Sequence, residues 1–251
     1  MPFVDLDGRP LDRVPLLYRG GRDFQLESGF AWIDPRDGTR HEVAPHDPSR
    51  PASGPQNGTD LASVPPFLWG LVASYGRQTL PAILHDRLVD AVDTAVDDAG
   101  RPATPAGRMR RRDRADGVFR RALEDAGLPR SRATVMWCAV RVEGYWRHRR
   151  ALGALLVAQL ALGVAAVVAA VVLGAVAHPL ALLLLLAPAP FALAWGRQAR
   201  FMLPAAYLAA LYSPLVIAAA LASGVEYLVA LLLWLGGGRT GATPRPGPTI
   251  R

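Results

Sequence analysis

Residues 151–196 read ALGALLVAQLALGVAAVVAAVVLGAVAHPLALLLLLAPAPFALAWG, 46 positions without a formal charge, in which Gln159 and the His178-Pro179 pair are the only interruptions. A small soluble core has no room for so long an uncharged run. An α-helix rises about 1.5 Å per residue and the hydrocarbon layer is about 30 Å thick, so about 20 apolar residues make one crossing. The run predicts two spans, near 152–176 and 179–196. After Arg197-Gln198-Ala199-Arg200, a second apolar stretch runs from Phe201 to Gly238 with Glu226 as its only charge. As a single helix it would exceed about 50 Å, too long for one untilted pass and short for two ordinary ones. Pro204, Pro214 and Ser223-Gly224 are candidate breaks and favour one span near 212–235 after an interfacial segment. Three transmembrane helices are expected, with four as the alternative. A tail over 239–251, rich in Gly, Pro and Thr, is expected to be disordered.

Charge divides the chain at the same place. Residues 1–150 hold 23 Arg and 20 Asp or Glu, whereas 151–251 hold five Arg and Glu226, and Lys is absent throughout. With 51% hydrophobic residues over 251 positions, a wholly water-soluble protein is disfavoured. Cys138 is the single cysteine, which excludes an internal disulfide and a Cys-based zinc site within one chain. The division gives a soluble domain (1–150), a transmembrane region (151–238) and the tail. Arg147, Arg149 and Arg150 precede the first span and Arg197 and Arg200 follow the second, while the turn between carries no Arg. That asymmetry predicts multi-pass insertion in the inner or plasma membrane with a cytoplasmic N-terminal domain. Met1 to Phe30 lacks the apolar core of a signal peptide, in keeping with this orientation. Arg239, Arg245 and Arg251 would also prefer the cytoplasm, which requires the fourth span. Glu226 has no partner acid or base in the spans, so it is expected beside a water-accessible break at Gly224 rather than in a transport relay.

In the soluble half, Val14–Tyr18, Phe24–Leu26, Gly29–Ile33 and His41–Val43 read as short strands, with Asp-Gly pairs at 7–8 and 37–38 as hairpin signals. Residues 45–58 read as a loop. Helices are expected at Pro66–Ser74, at Gln78–Asp90 (Leu80, Ile83, Leu84 and Leu88 inward), at about Arg110–Ala126 (Ala115, Val118, Phe119, Ala122 and Leu123 inward) and at about Ser131–Arg147 (Val135, Met136, Ala139 and Val142 inward). The acidic, Pro-containing stretch 91–107 reads as an exposed loop. The fold class is therefore α+β, a small domain of short strands and about four helices, followed by an all-α transmembrane region.

Four motifs stand in order: Thr59-Asp60-Leu61-Ala62-Ser63-Val64-Pro65-Pro66, Ala82-Ile83-Leu84-His85-Asp86, Arg112-Asp113-Arg114-Ala115-Asp116, and Ala139-Val140-Arg141 with Gly144. Together they resemble the phage- and bacteria-borne family called domain of unknown function 1353, over roughly residues 24–147. The resemblance implies a fold and no established activity. Leu84-His85-Asp86 followed by Asp116 is also similar to the metal-binding order of the His-Asp phosphohydrolase superfamily. That likeness implies an earlier His on a helix, whereas His41 and His46 fall in a strand and a Pro-flanked loop.

Imidazole and carboxylate are the usual ligands of a hydrolytic divalent metal, so His85 and Asp86, completed by Asp60 and Asp116, form a candidate metal and catalytic site. Adjacent helical residues point about 100° apart, so both reach one ion only over the helix edge. The alternative is that His85 and Asp86 fasten their helix to its neighbours by hydrogen bonds. Asp60 can equally cap a turn completed by Ser63 and Pro65, and Ser63 lacks the strained setting of a nucleophile. Arg112 and Asp116 are four apart, which suggests a surface ion pair or, in a hydrolase, an Arg112 that orients an anionic substrate. Arg108, Arg110, Arg111, Arg112 and Arg114, with Arg120 and Arg121, could grip anionic lipid headgroups. No recognised motif accompanies them to favour nucleic acid. The lipid bilayer is the expected partner, and no protein partner is indicated. The favoured reading is a membrane-anchored structural or interaction module, and the alternative is a metal-dependent hydrolase acting on a phosphate or amide bond.

Overall fold

The computed structural model describes residues 3–11, 13–20, 23–52, 57–59, 61, 76–96, 100–176, 178–237 and 243. The chain forms two compact units; among the described residues, the first holds those up to 61 together with 76–157, and the second those from 158 on. The expected helix at Pro66–Ser74, and the tail from 239 apart from Thr243, lie outside the described residues.

The first unit is mixed α+β. Its strands are β1 (Phe3–Asp5), β2 (Leu16–Gly20), β3 (Asp23–Leu26), β4 (Phe30–Ile33) and β5 (Arg40–Val43). β1, β4 and β5 form an antiparallel sheet with β4 in the centre, Phe30 facing Val43 and Ile33 facing Arg40; β2 pairs with β3. The β4–β5 hairpin closes at Asp37-Gly38 as its sequence suggests, with Gly38 at φ +73°, a left-handed value that glycine takes without strain. Three helices follow: α1 (Thr79–Asp93), α2 (Pro105–Asp125) and α3 (Arg130–His148). The sheet residues Phe3, Leu26, Phe30, Trp32 and Val43 pack against Ile83 and Leu84 of α1 and Val118 and Ala122 of α2, forming one apolar core.

α2 begins five residues before its expected start, inside the stretch read as a loop. Thr104 caps it, its hydroxyl oxygen accepting from Gly107 N–H at 3.1 Å, and Pro105 occupies the first helical position. This is a strong start signal, because the proline's missing N–H is one that the first turn could not use. The five inward residues expected of α2 are all buried. α3 presents a different face from the expected one. Ala139 is exposed, and Ala133, Met136, Trp137, Cys138, Arg141, Gly144 and Tyr145 turn inward, because the polar network described below draws Arg141 into the unit.

Beyond the first unit, two helices are long and apolar enough to cross a membrane: α4 (Arg150–Val176), which starts in the first unit, and α6 (Ala199–Gly236). α4 coincides with the first expected span. At the second, the structure has a 3-10 helix (Pro179–Leu186) followed by α5 (Pro188–Leu193) in place of a continuous span. Pro188 cannot donate to the carbonyl four residues back, and Ala187 N–H closes on the Leu184 carbonyl three back at 3.0 Å. Even in line, the two segments would reach about 25 Å, less than the hydrocarbon layer. A 3-10 turn at Gly196–Gln198 leads into α6. In place of the three or four expected spans there are, among the described residues, two helices of spanning length and one short apolar segment.

The breaks expected in the last stretch are also absent, since α6 runs unbroken for 38 residues through Pro204 and Pro214. Pro214 cannot donate to the Ala210 carbonyl. That carbonyl accepts instead from the Ser213 hydroxyl at 3.0 Å, which supplies the hydrogen bond that the proline cannot make. The N-terminal part of α6 buries Phe201, Met202, Ala205, Ala206 and Ala210, and a Cβ on Gly163 of α4 would fall 2.6 Å from the Ala206 carbonyl oxygen. Small residues thus bring the two backbones together, as in helix packing within lipid. From Leu211 onward the large apolar side chains are exposed, among them Leu221, Leu232 and Leu233. Glu226 also lies on the exposed surface of this unbroken helix.

Candidate functional site

Only residues 126–129 separate α2 from α3, so the helices run antiparallel and the N-terminal half of α2 lies beside the C-terminal half of α3. α1 packs along α2. Asp116, fully buried, is the hub where the three helices meet. His85 Nε2 of α1 lies 2.9 Å from Asp116 Oδ1, and Arg112 Nε donates to the same oxygen at 2.8 Å. Arg112 Nη2 reaches α3, donating to the Val140 carbonyl at 3.2 Å and to Glu143 Oε2 at 2.6 Å. Arg141 spans the same gap in the other direction. Its Nη1 donates to Asp113 and lies 3.9 Å from Asp116 Oδ2. At the end of the hairpin, Arg147 Nη2 pairs with Asp93 of α1 at 2.7 Å.

Arg112 and Asp116 therefore do not form the surface pair that their spacing suggested. Arg112 is 2% exposed and Asp116 0%. Met109, Arg112, Asp116, Phe119 and Leu123 recur every three or four residues, so the two charged groups sit on the apolar stripe that faces the unit's interior.

Asp116 Oδ1 accepts from Arg112 Nε, so the His85 nitrogen facing the same oxygen is assigned as its second donor. Burial holds the His85 imidazole below the ordinary histidine range. Asp116 pulls the other way, but burial outweighs it, and the Arg112 charge adds to the lowering. His85 is thus a neutral donor, packed against Phe119 with ring centres 4.6 Å apart.

Gly144 has a steric role in this arrangement. A Cβ there would lie 3.1 Å from Arg112 Cγ and 3.4 Å from Nε. Arg112 cannot yield, since its guanidinium is held at Asp116 and at Glu143. Gly144→Val is expected to cost about 1–3 kcal/mol through overpacking, read as a lower denaturant midpoint. An unchanged midpoint would mean that Arg112 has another rotamer to take.

Asp86, the next residue on α1, turns to the first motif, where its Oδ2 accepts from Thr59 Oγ1 at 2.9 Å. The same Thr59 oxygen accepts from Leu61 N–H at 3.0 Å. Leu61 has φ +68°, a left-handed conformation costing roughly 1–2 kcal/mol for a side-chain-bearing residue. The Thr59 hydroxyl holds it there.

Of the expected metal ligands, the structure brings His85 and Asp116 together and directs Asp86 to Thr59; Asp60, like Ser63, lies outside the described residues. Among the described residues, no three of His, Cys, Asp and Glu converge at a metal-holding spacing. On Asp116, Oδ1 is taken by Arg112 and His85, and Oδ2 lies 3.9 Å from Arg141 Nη1. His41 stacks on Trp32 at 5.6 Å, and His46 Nδ1 accepts from Leu26 N–H at 3.0 Å, so both serve the sheet. The Arg run is split among several roles. Arg112 is buried; Arg120 pairs with Glu124 at 3.1 Å; and Arg121 pairs with buried Asp34 at 2.5 Å, tying the β4–β5 hairpin to α2. Arg110, Arg111 and Arg114 are exposed.

Sequence reasoning missed Glu143 and the Asp34–Arg121 and Arg141–Asp113 pairs as parts of the arrangement. Asp34 and Arg121 are 87 positions apart, and no spacing rule links them. Arg141 belongs to the fourth motif and Glu143 lies between it and Gly144, and a glycine inside a helical pattern was the available signal of close packing there.

Residues of the second, third and fourth motifs thus meet around Asp116, while Asp86 of the second motif holds Thr59 of the first. Residues 56–140 match the family model described as Protein of unknown function (DUF1353). This segment belongs to the DUF1353 family. The match covers the first three motifs of the DUF1353 domain and reaches into the fourth, within the wider range of the resemblance. No curated protein and no solved structure matches the chain.

Proposed function

We propose that the chain is a membrane-attached protein whose DUF1353 domain works without catalysis, as a rigid interaction module carried on apolar helices. The observation that supports this reading is the use the motif residues make of one another. His85 Nε2, Arg112 Nε and Asp116 Oδ1 meet, Arg112 Nη2 reaches α3, and Asp86 clasps Thr59, while Arg112 Nη1 and Asp116 Oδ2 are buried without a hydrogen-bond partner among the described residues. Charged groups buried in this way tie the three helices to one another. They leave the outer faces of α1, α2 and α3 as the surfaces presented to a partner. Attachment rests on α4 and α6, with the DUF1353 domain on the cytoplasmic side of the inner or plasma membrane in a multi-pass arrangement. That orientation follows from Arg147, Arg149 and Arg150 ahead of α4 and the arginine-free turn after it.

Elemental mass spectrometry of the full chain purified in detergent, beside folded His85→Ala and Asp116→Ala variants, tests the noncatalytic reading. Substoichiometric metal in the parent, even after incubation with zinc, manganese or magnesium, is the expected result. Near-stoichiometric metal that is lost from folded variants would overturn it. The site would then belong to a metal-dependent hydrolase, with His85, Asp86, Asp60 and Asp116 as ligands and Arg112 orienting an anionic substrate.

A further inference from the structure

We propose that the corner between α3 and α4, together with the first turns of α2, docks on the headgroups of anionic phospholipids. The proposal deepens the membrane-attached reading and rests on it. α3 and α4 do not run on as one helix. Arg149 between them has φ −147° and ψ 67°, and a Cβ on Gly153 would lie 3.0 Å from Trp146 Cα, seven residues back. A straight helix separates such residues by about 10 Å along its axis. The chain therefore turns sharply here, and glycine permits the close approach.

The corner exposes Arg149, Arg150 and Trp146, the last at 55%. The antiparallel α2–α3 hairpin brings the start of α2 to the same end. Arg112 already touches Val140 and Glu143, and Arg108, one turn earlier, is close enough to His148 to act on it electrostatically. Arg110 and Arg111 project from these turns, exposed, and α2 has no acid in its first turn. Arg147, in contrast, is occupied by Asp93 and Glu143. Among the described residues, Arg110, Arg111, Arg149 and Arg150 have no carboxylate within ion-pairing distance.

Among the described residues, four guanidinium groups without an ion pair and an exposed indole thus share the end of the α2–α3 hairpin from which a 27-residue apolar helix departs. A bilayer surface offers the matching order of chemistry, phosphates outermost and hydrocarbon beneath. Guanidinium bonds phosphate oxygens in pairs, tryptophan favours the headgroup level, and basic clusters beside a span attract anionic lipid. Duplex DNA offers phosphates too, but nothing for Trp146 or the apolar helix.

The test is native mass spectrometry of the full chain in detergent with equimolar phosphatidylglycerol and phosphatidylcholine. The parent is expected to retain phosphatidylglycerol at least roughly tenfold over phosphatidylcholine. The R110Q/R111Q/R149Q/R150Q variant should fall toward parity, while R110K/R111K/R149K/R150K should keep most of the preference. If the fourfold Gln variant does not fold, R110Q/R111Q and R149Q/R150Q are read separately, each losing part of the preference. Parity in the parent, or a preference that survives the Gln substitutions, overturns the proposal. So does displacement of the retained lipid by a 20-base-pair DNA duplex, which would assign the surface to nucleic acid. Alkaline carbonate extraction of cell membranes tests the underlying reading separately, since release of the chain would refute attachment itself whatever the lipid preference.

Discussion

Asp116→Ala is expected to destabilise the DUF1353 domain by about 3–5 kcal/mol, the usual cost of removing one partner from a buried charged pair. The loss is large because Asp116 serves two helices at once. Without it Arg112, 2% exposed, keeps its charge with no acceptor at Nε, and the His85 N–H loses the oxygen 2.9 Å away. Denaturant unfolding of the full chain in detergent, followed by near-ultraviolet circular dichroism, reads the effect. A loss under about 1 kcal/mol, the scale of an exposed pair, would show that the network does not join the helices. A companion variant sharpens the result. Replacing His85 by Leu, Arg112 by Met and Asp116 by Leu together removes the polar groups that meet at Asp116 Oδ1. Arg141 stays buried but keeps its pair with Asp113, so the variant is expected to recover most of the lost stability, since an apolar set of similar volume avoids the desolvation that a half-removed pair leaves behind.

Repeating the unfolding measurement between pH 8 and pH 5 is expected to show stability falling as the solution is acidified. Burial holds His85, His41, His46 and His148 below the ordinary histidine range in the folded state. The unfolded chain has normal imidazoles, which take up protons near pH 6.5. As the pH falls through that value, the unfolded state binds protons that the folded state refuses, so the equilibrium shifts toward unfolding. Stability is therefore complete above about pH 6.5, and each such group can remove at most about 1.4 kcal/mol per pH unit below it. Asp90 and Asp125 act in the opposite sense. Burial raises both carboxyls, so their contribution weakens as the pH rises through a window that starts at the ordinary carboxylate range. His85→Gln should flatten the acid slope, and a stability constant from pH 8 to pH 5 would contradict the assignment of neutral buried imidazoles.

Much of the fold was legible in the sequence wherever a single periodicity held. α1 announces itself through Leu80, Ile83, Leu84 and Leu88, and the β4–β5 hairpin through Asp37-Gly38 between two apolar runs. Legibility failed where a polar residue took an inward position. Arg141 interrupts the apolar pattern of α3, so the expected face included Ala139, which is exposed. Arg112 and Asp116 looked like solvent-facing charges, although Met109, Phe119 and Leu123 at helical spacing place them inside. The start of α2 was missed because acidic residues and prolines suggested a loop, yet Thr104-Pro105 carries both a capping hydroxyl and a favoured first residue. α6 was divided at its prolines because the repair is local and chemical: Ser213 supplies the hydrogen that Pro214 lacks. At the candidate site, the order of four motifs carried the family resemblance, but order alone could not assign hydrogen-bond partners. That assignment required the antiparallel α2–α3 hairpin.

The close passage of α3 over Arg112 constrains how related chains can diverge. Gly144 and the aliphatic shaft of Arg112 share one small volume, so neither position is free to drift alone. A relative with alanine or serine in place of Gly144 should carry a shorter side chain in place of Arg112. With that guanidinium gone, the acid in place of Asp116 should be lost or matched by a new base from another helix. Substitutions at these three positions should therefore be inherited as a set across the family, even though 28 residues separate the second from the third helix at this contact.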